Sequence, residues 1–370
     1  MSVTIPVRLG VVQRVLPDYR APFFDALAAA CPQGMSLFAG QPRPEEAIET
    51  TTNLRTALLQ PAHNRHFFSG GAYLCWQSGL RDWLNAWQPE VLIVEANPRY
   101  LSTPSAVRWM HFNYRKVIGW GLGAAPVTGR FADLRLAYRQ RFLKQFDALI
   151  TYSQQGAAWY ARGGYDPSRI FIARNAVAPR PVSPAPQRPG EFANGRATVV
   201  FVGRVQARKR LDLLLQACGR LSPEIQPNLW IIGDGPALDD ARQVAQSTYP
   251  QAVFYGARYG AELTSLLAQA DLFVLPGTGG LAVQQAMSSA LPVIVARGDG
   301  TQSDLVRPEN GWIIPPDDAD ALTAALAEAL ADPAQLRRMG QASYDIVAGE
   351  INLEAMVESF ARAIAVVTGV

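Results

Sequence analysis

The chain has 370 residues, 49% hydrophobic and 18% charged, a composition that suits two α/β domains of about 150–200 residues and excludes a disordered tail or a coiled coil. Its net charge of +3 hides a split: residues 1–180 hold 20 Lys/Arg against 11 Asp/Glu, whereas residues 181–370 hold 14 against 20. No zinc finger, helix-turn-helix signature or basic tract accompanies the positive half, so nucleic acid is not expected as a partner, and phosphate-bearing substrates or an anionic membrane surface are.

Strands are expected at Val7–Val12, Met35–Phe38, Val91–Glu95, Lys116–Trp120, Ala148–Tyr152 and Ile170–Ala173. Helical patterns lie between them, near 21–30 with Pro22 in the first turn, at Leu80–Trp87, at Phe131–Phe146 and at Gln155–Arg162. This alternation predicts a parallel sheet covered by helices over residues 1–176. Residues 177–196 carry five prolines and read as an interdomain linker. A second alternation over 197–350 has strands at Ala197–Val202, Leu229–Ile232, Val253–Tyr255, Leu272–Leu275 and Pro292–Val295, separated by helices at Leu211–Gly219, Leu238–Thr248, Leu263–Ala270 and Leu281–Ser289. Ala319–Leu330 and Asp345–Val367 read as helices, and residues 351–370 are expected to cross back to the first domain. Two such sheets predict a cleft bordered by loops at their C-terminal strand ends.

Cys31, Cys75 and Cys218 are widely spaced and odd in number, against a disulfide scaffold or a thiolate metal site. With no signal-peptide pattern and no apolar run of about 20 residues, a cytoplasmic protein is expected, peripheral at the inner membrane face if it meets lipid. Phe131, Leu134, Tyr138, Phe142 and Phe146 share one side of a helix beside several arginines; core packing is the preferred reading of this stripe, and an anionic bilayer is the other.

The segments FVGRVQARKRLDLLLQA, WIIGDGP, VFYGA, DLFVLPGTGGLAVQQAMSSALPVIVA and ENGWIIPPDDADALTAAL, in this order over residues 199–330, resemble the family-4 glycosyltransferases. The resemblance extends over nearly the whole chain. It implies the GT-B fold, two Rossmann-like parallel-sheet domains facing across a cleft. It also implies a retaining, metal-independent transfer from a nucleotide diphosphate sugar to a saccharide or lipid-linked saccharide, with no further cofactor. Arg204 and Lys209 match the pair that contacts the donor diphosphate, which a planar fork and a mobile ammonium can neutralise. Gly279, Gly280 and Leu281 match the turn that meets phosphate through backbone amides at a helix start. Ala257 and Arg258 match the base pocket, and Gln285 the ribose contact. Arg208 and Arg210 are expected as ordinary surface charges, and Trp230 as a strand residue.

The pattern breaks at three places. Relatives have two glutamates eight residues apart where this chain has Gly277 and Gln285, and a histidine where GWGLG has Leu122. His111, in VRWMHFNYRK, reads as a helix-packing residue. Glu95, closing the strand PEVLIVE, is the local substitute for a polar catalyst, with Asn97 and Arg99 beside it. Asp18, Tyr19 and Arg20 follow the first strand, where Arg20 is placed to receive an acceptor phosphate or to lie at the surface. The losses leave a second reading open, an inactive sugar-nucleotide binding or scaffold protein.

Overall fold

In a computed structural model that describes residues 3–46, 48–123 and 132–369, the chain forms two compact units, 1–179 with 353–370 and 180–352. The first unit runs β1 (Leu9–Val15), α1 (Ala21–Ala29), β2 (Met35–Gly40), β3 (Leu58–Pro61), β4 (His63–Phe67), β5 (Leu74–Ser78), α2 (Leu80–Trp87), β6 (Val91–Glu95), α3 (Thr103–Phe112), β7 (Lys116–Gly121), α4 (Ala132–Leu143), β8 (Ala148–Thr151), α5 (Gln154–Arg162) and β9 (Ile170–Ile172). Seven of these strands form one parallel sheet in the order β3-β2-β1-β6-β7-β8-β9, while β4 and β5 pair as a separate antiparallel hairpin. Val91, Leu92, Ile93 and Val94 are all buried, because a central parallel strand is covered on both faces.

The second unit runs β10 (Thr198–Val202), α6 (Leu211–Arg220), β11 (Asn228–Ile232), α7 (Leu238–Thr248), β12 (Val253–Gly256), α8 (Gly260–Gln269), β13 (Leu272–Leu275), α9 (Leu281–Ser288), β14 (Val293–Ala296), α10 (Gln302–Leu305), β15 (Gly311–Ile314), α11 (Ala319–Ala331) and α12 (Pro333–Gly349). Its six strands are parallel in the order β12-β11-β10-β13-β14-β15. Each unit is therefore a doubly wound, Rossmann-like α/β layer.

The final helix, α13 (Leu353–Thr368), belongs to the first unit and packs on α1, with the Phe360 ring 5.0 Å from Phe23. The single helix read over 345–367 is instead two. Asp332 starts α12 by accepting from the Gln335 amide at 3.0 Å, and Asn352 donates to Val347 O at 2.9 Å where α12 has ended. The proline-rich segment is tied to the second unit by Arg188. It donates to the carbonyls of Leu267, Ala270, Ser289 and Ala290 at 2.6–2.9 Å, all of them at or just past the ends of α8 and α9.

The aromatic stripe divides. Phe142 and Phe146 are buried, as core packing requires, but Leu134 is 70% exposed and Tyr138 is also in water, so the start of α4 does not pack on the sheet. Phe131 lies outside the described residues. No helix among the described residues is long and apolar enough to cross a membrane.

Candidate functional site

In the second sheet β10 is flanked by β11 on one side and β13 on the other, so the loops leaving β10 and β13 diverge at a topological switch point. Open α/β sheets bind ligands at that point, outside the C-terminal strand ends. Arg204 and Lys209 lie on the first of these loops, and Gly277–Gly280 form the second.

The loop after β10 is held on both sides. Val205 N donates to Asp234 O at 2.9 Å and Ala237 N to Val205 O at 3.1 Å, which join it to the turn after β11. Thr278 N donates to Arg208 O at 3.0 Å, which joins it to the turn after β13. Across that second seam Lys209 Nζ donates to Thr278 O at 2.7 Å and Arg208 Nη1 to Thr278 Oγ1 at 3.2 Å. Arg208 and Arg210 are thus more than surface charges. Arg210 opens α6 with φ +54° and pairs with Asp212 at 3.0 Å and with Asp317.

Two glycines set the distances. A Cβ on Gly279, whose φ is +143°, would stand 2.3 Å from Lys209 Nζ, so only glycine lets the ammonium rest against this turn. A Cβ on Gly277 would stand 2.2 Å from Arg208 O and 2.5 Å from Lys209 Cα. The space beside Gly277 is therefore filled by the Arg208–Lys209 backbone, and an acidic side chain cannot be added there without moving it.

Gly280 precedes α9, whose first amides, those of Leu281 and Ala282, have no intrahelical acceptor and carry the positive end of the helix dipole. Burial and then the neighbouring Arg208 lower the Lys209 ammonium to about 8. A half-buried cation, glycine backbone and free helix amides together form a cradle for an oxyanion.

The remaining donor-side residues lie around it. Arg204 is exposed and makes no hydrogen bond or ion pair among the described residues. Gln285 is exposed one turn into α9. Ala257 and Arg258 follow β12, two strands and about 10 Å from β10. The Arg258 guanidinium turns to its neighbour, donating to Ala257 O at 3.1 Å and lying 3.6 Å from Glu262. Trp230 sits in β11 with its ring 5.5 Å from Tyr255.

The first unit has its own switch point, with β1 between β2 and β6. Glu95 closes β6 there, and its Oε2 accepts from the Arg14 amide at 2.5 Å. Although part of the residue's surface remains accessible, its carboxyl is enclosed. Burial pushes it up to about 7, against the lowering effect of the Arg14 amide and of the Arg14 and Arg20 charges. Asn97 accepts from the Arg99 amide at 3.1 Å and shapes the turn, while the Arg99 side chain is in solvent. Asp18 accepts from the Tyr19 amide, and Arg20 is buried rather than at the surface. Leu122 is exposed just past β7. His111 lies on α3 with Nε2 3.5 Å from Asp147 and its side chain nearly half exposed. Among the described residues no three His, Cys, Asp or Glu side chains converge as a metal site would require.

Residues 185–346 match the family described as glycosyl transferases group 1. A GDP-mannose-dependent alpha-mannosyltransferase of Mycobacterium tuberculosis is 40% identical over 149 residues, 39% of this chain and 34% of that one, so the chain spans about a third of that relative's length. The lipopolysaccharide outer core galactosyltransferase WaaB is similar in structure over 96% of this chain and 99% of its own, with a TM-score of 0.67 and 14% identity. HepE of Anabaena, solved with UDP and glucose, is similar over 97% of this chain and 99% of its own, with a TM-score of 0.65 and 13% identity.

Proposed function

We propose that the chain, whose residues 185–346 match the group 1 glycosyl transferases, transfers a sugar from a nucleotide diphosphate donor to a saccharide or lipid-linked saccharide. The observation that carries this reading is the cradle at the second switch point, where Lys209 Nζ lies against the Thr278–Gly279 turn that leads into α9. A diphosphate held there gives up its bond to the sugar most readily when the charge it gains is already matched by Lys209, Arg204 and the Gly279–Leu281 amides. The relative named for GDP-mannose and the neighbour solved with UDP support a nucleotide diphosphate as the leaving group.

Transfer with retention, in which the departing diphosphate takes the acceptor proton on its own face of the sugar, needs positioning more than an acid pair. Gly277 and Gln285 are compatible with that scheme. Glu95 is the acceptor-side group, with a carboxyl able to donate or accept a hydrogen bond near neutral pH. No metal is required by these steps, and turnover is expected to survive a chelator. The exposed Leu134, Leu136 and Tyr138 at the start of α4 support contact with an anionic bilayer, read by co-sedimentation with vesicles containing phosphatidylglycerol.

The test replaces Arg204 and Lys209 singly with alanine. Nucleoside diphosphate affinity and turnover are each expected to fall about 10- to 100-fold, the loss of one charge-assisted contact. Unchanged values in both variants would sink the diphosphate assignment.

A further inference from the structure

Arg20 ends the short turn Asp18–Arg20 after β1, at the switch point of the first unit, and is only 8% exposed. Its guanidinium centre lies 5.0 Å from the Trp120 ring, 5.2 Å from Tyr152 and 5.7 Å from Tyr19. Nη2 donates to Tyr152 Oη at 3.1 Å. Nη1 is fully buried and finds no acceptor among the described residues, and the same is true of the Trp120 indole Nε1. No carboxylate pairs with Arg20 among the described residues, whereas Arg14 has Glu46 at 2.7 Å.

This arrangement is costly for an empty site. Aromatic faces stabilise a guanidinium through its own faces, but its N–H groups point outward in the plane and still require acceptors. A buried cation with neither a counterion nor a full set of hydrogen bonds is kept at a loss unless something else completes it. Glu95, whose carboxyl senses the Arg20 charge, forms no ion pair with it, and its Oε2 accepts from the Arg14 amide instead. Two unused donors, Nη1 and Nε1, and one uncompensated positive charge remain beside the C-terminal strand ends.

We propose that Arg20 is an anion subsite, taking a phosphate or carboxylate oxygen of the acceptor on Nη1 with Trp120 Nε1 as second donor. The word acceptor rests on the transfer reading above; the anion site does not, and it is tested without a sugar donor. Trp120 and Tyr19 lie over the guanidinium and Tyr152 Oη takes Nη2, so the group left without a partner is Nη1, a charged N–H donor that selects a charged oxygen and not an aromatic or apolar group.

The experiment is calorimetric titration of the full chain at pH 7 with methylphosphonate and, separately, with acetate. Wild type, Arg20→Gln, Arg20→Lys, Lys209→Gln and Lys209→Gln carrying Arg20→Gln are compared, Lys209→Gln removing the cation of the donor cradle. With the donor cradle disabled by Lys209→Gln, at least one of the two anions is expected still to bind, and to bind at least tenfold more weakly when Arg20→Gln is added to that variant. Arg20→Lys, which keeps the charge without the planar edge, is expected to lose several-fold and serves if the glutamine variant does not fold by circular dichroism. Preference for methylphosphonate points to a phosphate-bearing acceptor and preference for acetate to an acidic sugar. Absence of binding by wild type, or binding lost in Lys209→Gln and kept in both Arg20 variants, overturns the subsite. Donor affinity is expected to be unchanged in the Arg20 variants, so failure here is separable from failure of the transfer reading.

Discussion

Glu95→Gln gives a pH-dependent stability change whose size follows from the site. The carboxyl stands at about 7 instead of its ordinary 4.5 because folding buries it. Between those values the native chain binds a proton that the unfolded chain has released, so the native state loses stability as pH rises. The contribution is complete below about pH 4.5 and gone above about pH 7. At about 1.4 kcal/mol per pH unit the whole window is worth about 3 kcal/mol, of which about 2.5 falls between pH 5 and pH 8. Glutamine is neutral throughout and still offers an oxygen to the Arg14 amide. The variant should therefore gain on wild type by about 2.5 kcal/mol between pH 5 and pH 8, read from urea unfolding at pH 5, 6.5 and 8. A gap between the two proteins that does not widen with pH would refute the claim that this carboxyl is held protonated by burial. Turnover of Glu95→Gln separates the roles: a large loss places Glu95 on the acceptor, and little change leaves it structural.

Lys209, lowered to about 8 by burial and Arg208, should make nucleoside diphosphate affinity flat below pH 8 and weaker by up to tenfold per pH unit above it, and Lys209→Arg should remove that dependence in titrations at pH 7 to 9.5. Gly277→Glu puts an acid where the family resemblance leads one to expect it, but its Cβ would meet the Arg208 carbonyl at 2.2 Å. It should cost about 2–4 kcal/mol in thermal unfolding and weaken diphosphate binding, because the Lys209 loop must move. Arg188→Ala strips hydrogen bonds from four carbonyls around the ends of α8 and α9 and should cost about 3–5 kcal/mol, read as a lower melting temperature with donor affinity retained.

Most of the architecture was legible because parallel strands are short apolar runs set off by glycine and polar turns, as in VLIVE and LFVL. What escaped had weaker signals. The β4–β5 hairpin is polar, with only Cys75 and Gln77 buried, so no alternation announced it. The boundary between α12 and α13 rests on Asn352, which is fully buried and bonds carbonyls of the preceding helix, a tertiary choice that a local pattern cannot reveal. In the candidate site, the match to known motifs marked Lys209 and Gly279 but not their contact. One composition signal was available: the chain has three lysines against 31 arginines, so a lysine at 209 is conspicuous where arginine is the default cation. The burial of Arg20 was not legible, since nothing in LPDYRAPFF distinguishes a cation boxed by Trp120 and Tyr152 from one in water. Those partners arrive from β7 and the end of β8, more than 95 residues later.

The most direct measurement of the central claim is incubation of the full chain with a panel of nucleotide diphosphate sugars and saccharide or lipid-linked saccharide acceptors, following nucleoside diphosphate release and glycoside formation together. The account predicts one donor that yields both in equal amounts, with loss of both products in Lys209→Ala. A donor that binds saturably while no glycoside forms with any acceptor would contradict it and leave a protein that holds its sugar nucleotide without using it.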